Sequence, residues 1–263
     1  MRSSVLRLVV CAVAVLSGAG CDLILSPSPT DDNWRLSSAG RFTFYVRPGS
    51  FAEANVGTFA TVLEDQFATS VARLDLRYQG HVTVFLHNSG ADAGFSADLG
   101  NGDHSGVAYP ETETVKAACV PPLDGNLMSL LSHEVNHVII RNGLGRPGTS
   151  FVNEGLASAV LSERYHALGK TFYYRWTAER GSQLPRLADL VDDDKWQSRP
   201  QNVSYSASAS FLAYVIETYG LAPLKAVYGA NSREFAGRFQ SAYGRSLDEA
   251  EAEWLAFCQR QGR

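Results

Sequence analysis

Residues 126–142 read NLMSLLSHEVNHVIIRN and are the most informative stretch of this 263-residue chain. The apolar residues recur every three to four positions, which predicts an amphipathic helix. On that helix, His133 and His137 lie one turn apart and point the same way, so both imidazoles can bind one ion. Glu134 is one residue on from His133 and rotated from it by about 100°, so it can contact a water molecule beside that ion, where a general base is needed. This spacing predicts a metal-dependent hydrolase.

A third ligand is expected from the next predicted helix. Residues 151–158 read FVNEGLAS, and sixteen residues separate His137 from Glu154. That interval leaves room for the end of the first helix, a loop and a second helix that runs antiparallel to the first. Gly155 and Ala157 are small, which would let the two helices lie close together. The alternative for Glu154 is a first-turn glutamate that only complements the helix dipole.

At these residues the chain resembles the gluzincin branch of zinc peptidases. The aminopeptidases of that branch carry a His-Glu-x-x-His helix followed by the string Trp-Leu-Asn-Glu-Gly-Phe-Ala, to which residues 151–157 are similar. The resemblance covers about residues 125–162. It implies a zincin-like fold, a peptide or protein substrate and Glu134 as the catalytic base. It also implies Zn²⁺ as the cofactor, with the ligands His133, His137 and Glu154.

The chain departs from those aminopeptidases in several places. It has no Gly-x-Met-Glu-Asn string, which binds the free amino terminus of a substrate there, and it is too short for their accessory domains. Ser158 stands where thermolysin-like members carry an aspartate that supports a zinc ligand. The chain is therefore more similar to small exported members of the peptidase MA-like superfamily, and both endopeptidase and exopeptidase activity remain open.

A donor for the oxyanion that forms during peptide hydrolysis is also expected, and gluzincins commonly use Tyr or His. In the aminopeptidases this tyrosine follows the glutamate ligand by tens of residues. Tyr205 lies 51 positions after Glu154, at the start of a predicted helix. The resemblance thus implies Tyr205 as a second catalytic residue. A tyrosine that merely packs at a helix start is the alternative, and Tyr165, Tyr173 and Tyr174 are competing donors.

The order of predicted elements indicates an α+β fold. A small N-terminal mixed β-sheet with helices is followed by a mainly helical C-terminal half. The predicted strands are residues 42–46, 81–87, 106–109 and 114–116, with a helix over residues 51–76 and helices from residue 126 onward. In zincins an edge strand lines the substrate cleft, and residues 106–109 are the candidate here. The acidic residues 192–194 are predicted to form a solvated loop.

The N-terminus predicts export. Residues 1–20 have a basic start and an apolar run too short to span a bilayer, which is typical of a signal peptide. The small residues before Cys21 resemble a bacterial lipobox, in which that cysteine is lipidated. Ordinary secretion, an uncleaved anchor or a structural thiol at Cys21 are the alternatives. Residues 21–38 are predicted as a flexible tether, and residues 39–263 as the metallopeptidase domain. We therefore expect a lipoprotein on the outer side of a bacterial membrane, attached only through its lipid.

The composition bears on disorder, on nucleic-acid binding and on the state of the cysteines. With 45% hydrophobic and 19% charged residues, the chain is not disordered throughout. A formal net charge of −4 leaves no basic surface for nucleic acid. In an oxidising compartment, Cys119 and Cys258 could form one disulfide, although two buried free thiols are an equal alternative.

Together these features predict zinc-dependent hydrolysis of peptide bonds outside the cytoplasmic membrane. The main alternative is a non-catalytic zinc-binding surface lipoprotein with a structural or partner-binding role. Glu134 argues against that alternative, because a structural zinc ion has no use for a base. Zinc-dependent hydrolysis of a non-peptide bond is a third interpretation.

Overall fold

The computed structural model describes residues 33–95 and 105–261. The predicted α+β class is confirmed, since a small mixed sheet comes first and helices follow. The strands are β1 (Arg35–Ala39), β2 (Phe42–Val46), β3 (Val82–His87), β4 (Gly106–Tyr109) and β5 (Thr114–Ala118). The helices are α1 (Phe51–Arg73), α2 (Gly125–Leu144), α3 (Ser150–Ala159), α4 (Lys170–Arg180), α5 (Leu187–Val191), α6 (Asp193–Gln197), α7 (Gln201–Tyr219), α8 (Leu221–Val227), α9 (Ser232–Tyr243) and α10 (Leu247–Gln261).

The sheet has the strand order β1-β2-β3-β5-β4. Its three inner strands are parallel, whereas β1 and β4 run antiparallel to their neighbours at the two edges. Alternate residues of the inner strands are fully buried and face the helices, as Phe44 and Val84 do. Helices α1 and α2 cover this face, and α2 also packs along β4. The edge strand β4 therefore lies beside the helix that contains both histidines of interest.

Capping side chains set the starts of the helices that matter most here. Asp124 accepts hydrogen bonds from the amides of Asn126 and Leu127 and so begins α2. Thr149 accepts a hydrogen bond from the amide of Val152 and begins α3 in the same way. The predicted boundaries at residues 126 and 151 are thus correct to within one residue.

Helix α3 packs very closely against α7. A Cβ atom at Gly155 would lie only 2.7 Å from the Cβ atom of Ser208 and 2.8 Å from a methyl carbon of Leu212. Only a residue without a side chain allows this approach, because real Cβ contacts are longer. The small residues of the FVNEGLAS segment therefore do bring helices together, but the close partner is α7 in addition to α2.

Two predictions about local structure were wrong. The predicted tether extends to residue 38, but residues 35–39 form β1, which is held by backbone pairing with β2 and by the Trp34 ring against Phe85. The acidic residues 192–194 are not a solvated loop. Asp192 caps α6 by accepting from the Lys195 amide, and Asp193 accepts from the Ser150 amide at the start of α3.

The possible disulfide between Cys119 and Cys258 is not formed, and both residues are buried free thiols. Cys119 follows β5 in the sheet, where its amide bonds to the His87 carbonyl. Cys258 lies on α10, with its sulfur 3.5 Å from the Ser210 hydroxyl. The two cysteines thus belong to different parts of the core, which the spacing in the sequence could not reveal.

The predicted signal peptide, the lipidation site Cys21 and residues 21–32 of the tether lie outside the described residues. Among the residues that are described, no helix combines the length and apolar character needed to cross a membrane.

Candidate metal centre

Three side chains meet at one buried point between α2 and α3. The Nε2 atoms of His133 and His137 are 3.0 Å apart. The Oε2 atom of Glu154 lies 3.1 Å from the first and 3.2 Å from the second. Glu154 is 1% exposed, and both histidines are buried. The structure thus brings together all three residues that the sequence predicts as ligands.

This triangle of atoms fits a small metal ion. A tetrahedral ion with bonds of about 2.0–2.1 Å separates its ligand atoms by about 3.3–3.4 Å, slightly more than the distances between these three atoms. Two imidazoles and one carboxylate suit zinc and neighbouring transition metals, whereas Mg²⁺ and Ca²⁺ prefer oxygen ligands only. The cluster His133, His137 and Glu154 could therefore hold a metal ion.

Neighbouring polar groups orient two of the three ligands. The Ser158 hydroxyl lies 3.1 Å from Nδ1 of His133 and so leaves Nε2 of that ring directed at the cluster. The Asn153 amide nitrogen donates to Oε1 of Glu154 at 2.7 Å and leaves Oε2 for an ion. Such partners fix the tautomer and orientation of metal ligands. Ser158 and Asn153 are thus the supporting partners of His133 and Glu154.

Electrostatics within the cluster favour a positive charge. Burial alone would lower the pKa of His137, but the Glu154 carboxylate, with help from Glu134 and Asn153, raises it to about 9. Burial alone would raise the pKa of Glu154, but the two imidazoles hold that pKa well below its ordinary range. The carboxylate and the imidazoles therefore stabilise each other's charged forms. A bound cation would replace that positive charge, and its binding would release a proton.

A buried polar network fixes α2 and α3 relative to α1. The side chain of Asn136 donates to the carbonyl of Ala157 at 2.7 Å. The side-chain oxygen Oδ1 of Asn136 accepts hydrogen bonds from Ser70 at 2.6 Å and from Gln66 at 3.0 Å. Because every partner is buried, these hydrogen bonds are strong constraints. The network holds the helix with the two histidines against the helix with Glu154.

Glu134 lies between α2 and the edge strand β4. It is fully buried, and a Cβ atom at Gly106 would lie 2.8 Å from its Cγ atom and 3.3 Å from its Oε1 atom. Burial and the negative charge of Glu134 both raise the pKa of Tyr109, at the far end of β4. The carboxylate therefore lies directly against the backbone of the edge strand that the sequence predicts to line the cleft.

Tyr205 lies beside His133. It is in the first turn and a half of α7, and its ring centre is 6.0 Å from that of His133. The Trp196 ring packs against it at 5.1 Å. Among the competing tyrosines, Tyr174 instead donates to Glu217 near the opposite end of α7. The geometry thus places Tyr205 next to the candidate metal centre.

The sequence alone does not reveal several residues that shape the site. Asn153 is part of the quoted motif, but its role as a donor to Glu154 requires the fold. Asn136 lies between the two histidines, and a polar residue on the apolar side of a helix is the signal that could have identified it. Gly106 and Trp196 give no such signal, because their importance comes from contacts with residues distant in the chain.

The chain matches no protein-family model, and no curated protein matches it.

Proposed function

We propose that this protein is a zinc-dependent peptidase with a zincin-like fold, related to the gluzincins. The observation that carries the proposal is the convergence of three buried ligand atoms within 3.0–3.2 Å of one another. Structural zinc sites have four protein ligands, whereas catalytic sites have three and an open position. Among the described residues the cluster has three such ligands, and Glu134 lies next to the first of them in the chain.

The sheet offers a second support. In zincins an edge strand lines the cleft, and β4 is an antiparallel edge strand among the described residues. It runs along the helix with both histidines, and its Gly106 lies against Glu134. An extended peptide could add to this edge by backbone hydrogen bonds. Such pairing would place a scissile bond beside the carboxylate.

Different groups at the site would carry out different parts of peptide-bond hydrolysis. A bound zinc ion would polarise the substrate carbonyl and lower the pKa of a water molecule. Glu134 would accept the proton of the attacking water and pass it to the departing amine. Tyr205 would donate a hydrogen bond to the carbonyl oxygen as that oxygen becomes negative. Burial of the cluster keeps these interactions strong, because little bulk water competes.

The direct test combines metal analysis with peptide cleavage. The purified mature protein is expected to bind one zinc ion per chain and to cleave members of a peptide library. A chelator should abolish the cleavage and added zinc should restore it, whereas added Mg²⁺ should not. Zinc binding without turnover of any peptide would favour the non-catalytic alternative. Failure to bind zinc would exclude both interpretations.

The close packing of Gly106 against Glu134, the proposed base, leads to a prediction about kcat. Changing Gly106→Ala places a Cβ atom 2.8 Å from Glu134, so either that side chain or β4 must move. A displacement of about 1 Å can cost about 100-fold in rate, and we expect kcat to fall by about 10- to 100-fold with zinc content unchanged.

The matched control is Val107→Ala, because neighbouring residues of a strand point to opposite faces. It should lower kcat less than about threefold, well below the cost of a displaced catalytic group. Equal kcat values for Gly106→Ala and the unchanged protein would show that the carboxylate does not need this gap.

We also propose that the peptidase acts outside the cytoplasmic membrane. The support is the sequence of residues 1–38 alone, with its signal-like start, Cys21 and proline-rich segment.

A further inference from the structure

Trp196 is a buried residue that nothing in the predicted mechanism uses. It lies on the short helix α6 and is 7% exposed. Its indole nitrogen donates to the Ser208 hydroxyl at 3.1 Å, and its backbone carbonyl accepts from the Ser204 hydroxyl at 2.8 Å. Both serines are on α7, the helix that carries Tyr205. The ring and the backbone of Trp196 are thus each held by one hydrogen bond to that helix.

The same ring packs against Tyr205. The centres of the Trp196 and Tyr205 rings are 5.1 Å apart, with their planes inclined by 43°. The Tyr205 ring in turn lies 6.0 Å from the His133 ring, at 38°. Tyr205 therefore lies between a rigidly held indole and a candidate metal ligand. Turning the phenol to another rotamer would remove it from both contacts.

Helix α6 is also attached to the helix that provides Glu154. Asp193, at the start of α6, accepts a hydrogen bond from the backbone amide of Ser150 at 2.7 Å. Ser150 is the first residue of α3, on which Glu154 lies one turn later. The position of Trp196 is thereby fixed relative to both the ligand helix and the tyrosine helix.

We propose that Trp196 is a positioning residue, which holds the Tyr205 ring beside His133 and so sets where the phenol oxygen lies at the metal centre. The catalytic consequence rests on the proposed function, whereas the orientation of Tyr205 does not. The indole packs against one side of this half-buried ring and so limits the rotamers that Tyr205 can take. Misplacement of a group by about 1 Å is enough to slow catalysis about 100-fold.

The first test measures orientation and needs no substrate. The protein is labelled with 3-fluorotyrosine, and the ¹⁹F resonance that disappears in Tyr205→Phe is assigned to Tyr205. Changing Trp196→Phe should broaden or split that resonance, because the phenol then takes more than one orientation. A single sharp line that only shifts would report the changed ring current alone and would overturn the proposal. Zinc content should remain at the level of the unchanged protein. An unchanged Tyr205 resonance in Trp196→Phe would overturn the proposal.

A matched control comes from a second tryptophan that is hydrogen-bonded to α7. Trp254 is fully buried and also donates its indole N–H to a serine of α7, Ser210, at 3.0 Å. Its ring packs on Phe211 rather than on Tyr205. Changing Trp254→Phe should therefore lower stability in a similar way but leave the Tyr205 resonance a single sharp line. If it broadens or splits that resonance equally, the effect of Trp196 is general packing and the proposal fails.

The second test is a double-mutant cycle on peptide turnover. Removing the phenol oxygen by Tyr205→Phe should lower kcat by about 100-fold or more, as loss of an oxyanion donor does. Trp196→Phe alone should lower kcat by about 10- to 100-fold with KM nearly unchanged. The double variant should be no slower than Tyr205→Phe by more than about twofold, because the tyrosine is then already lost. Losses that multiply in the double variant would overturn the proposal.

A less disruptive substitution tests the same proposal if Trp196→Phe does not fold. Ser208→Ala removes the acceptor of the indole N–H but keeps the Cβ atom that packs against α3. It should broaden the Tyr205 resonance in the same way to a smaller extent, and no broadening would contradict the proposal. If the unchanged protein cleaves no peptide, the hydrolase proposal has failed, and the ¹⁹F experiment still decides whether Trp196 positions Tyr205.

Discussion

The variant Glu134→Gln is expected to keep its zinc ion and to lose peptide hydrolysis by a factor of about 100 to 10,000, the usual contribution of a general base. Glutamine has nearly the size of glutamate, so it fills the same buried space between α2 and β4. It cannot accept a proton at neutral pH, however. The ligand triangle contains no atom of Glu134, because on a helix this residue is rotated away from His133 and His137.

Two measurements on the same sample check this expectation. Atomic spectroscopy should give one zinc ion per chain, and kcat should fall with little change in KM. The matched control is Glu111→Gln, the same exchange at an exposed carboxylate that pairs with Arg141 on α2. That control should keep nearly full activity. Full activity in Glu134→Gln would remove the proposed base, and loss of zinc would instead make Glu134 a ligand.

The part of the site that lies within one helix could be predicted from the sequence. Period and spacing place His133 and His137 on one side of a helix, since that geometry depends only on backbone rotation per residue. The contribution of Glu154 is different. Its distance from the histidines depends on how α3 returns along α2, and the expectation came from the resemblance of the FVNEGLA string. The structure brings the three side chains together as that resemblance implies.

The remaining features depend on contacts between distant parts of the chain. The role of Gly106 follows from the approach of β4 to Glu134, over 28 positions along the sequence. Trp196 matters because α6 is attached to both α3 and α7, and no local pattern encodes that attachment. The strand β1 escaped prediction for a related reason. Its residues are mostly polar and mostly exposed, and its leucine is exposed as well, so they lack the alternation by which half-buried strands are found.

The local charge pattern led to a wrong prediction at residues 192–194, because the fold gives two of these carboxylates hydrogen-bond partners. The residues Asp192 and Asp193 look like part of a solvated acidic loop, because like charges usually remain in water. In the fold, one of them caps α6 and the other accepts from the Ser150 amide at the start of α3. Both positions have backbone N–H groups without partners within the helix, which favour a carboxylate. The acidic run thus helps to fix α6, the helix that carries Trp196, against α3.

Removing the third ligand by Glu154→Ala should weaken zinc binding by more than about 100-fold, the upper limit for changes to groups that only support a ligand. Two imidazoles from one helix would remain, and the Asn153 amide would lose its acceptor. The affinity can be measured by competition with a chromophoric chelator. The control Glu179→Ala removes an exposed carboxylate of α4 and should leave the affinity unchanged.

A second substitution separates the loss of a ligand from the opening of a cavity. Glu154→Gln keeps the volume of the side chain but replaces the charged oxygen with a neutral amide. If coordination is the reason for the loss, both variants should bind zinc far more weakly than the unchanged protein. If packing were the reason, only Glu154→Ala would lose the metal. Unchanged zinc affinity in both variants would mean that the ion is held without this carboxylate, and the three-ligand centre on which the peptidase proposal rests would then be wrong.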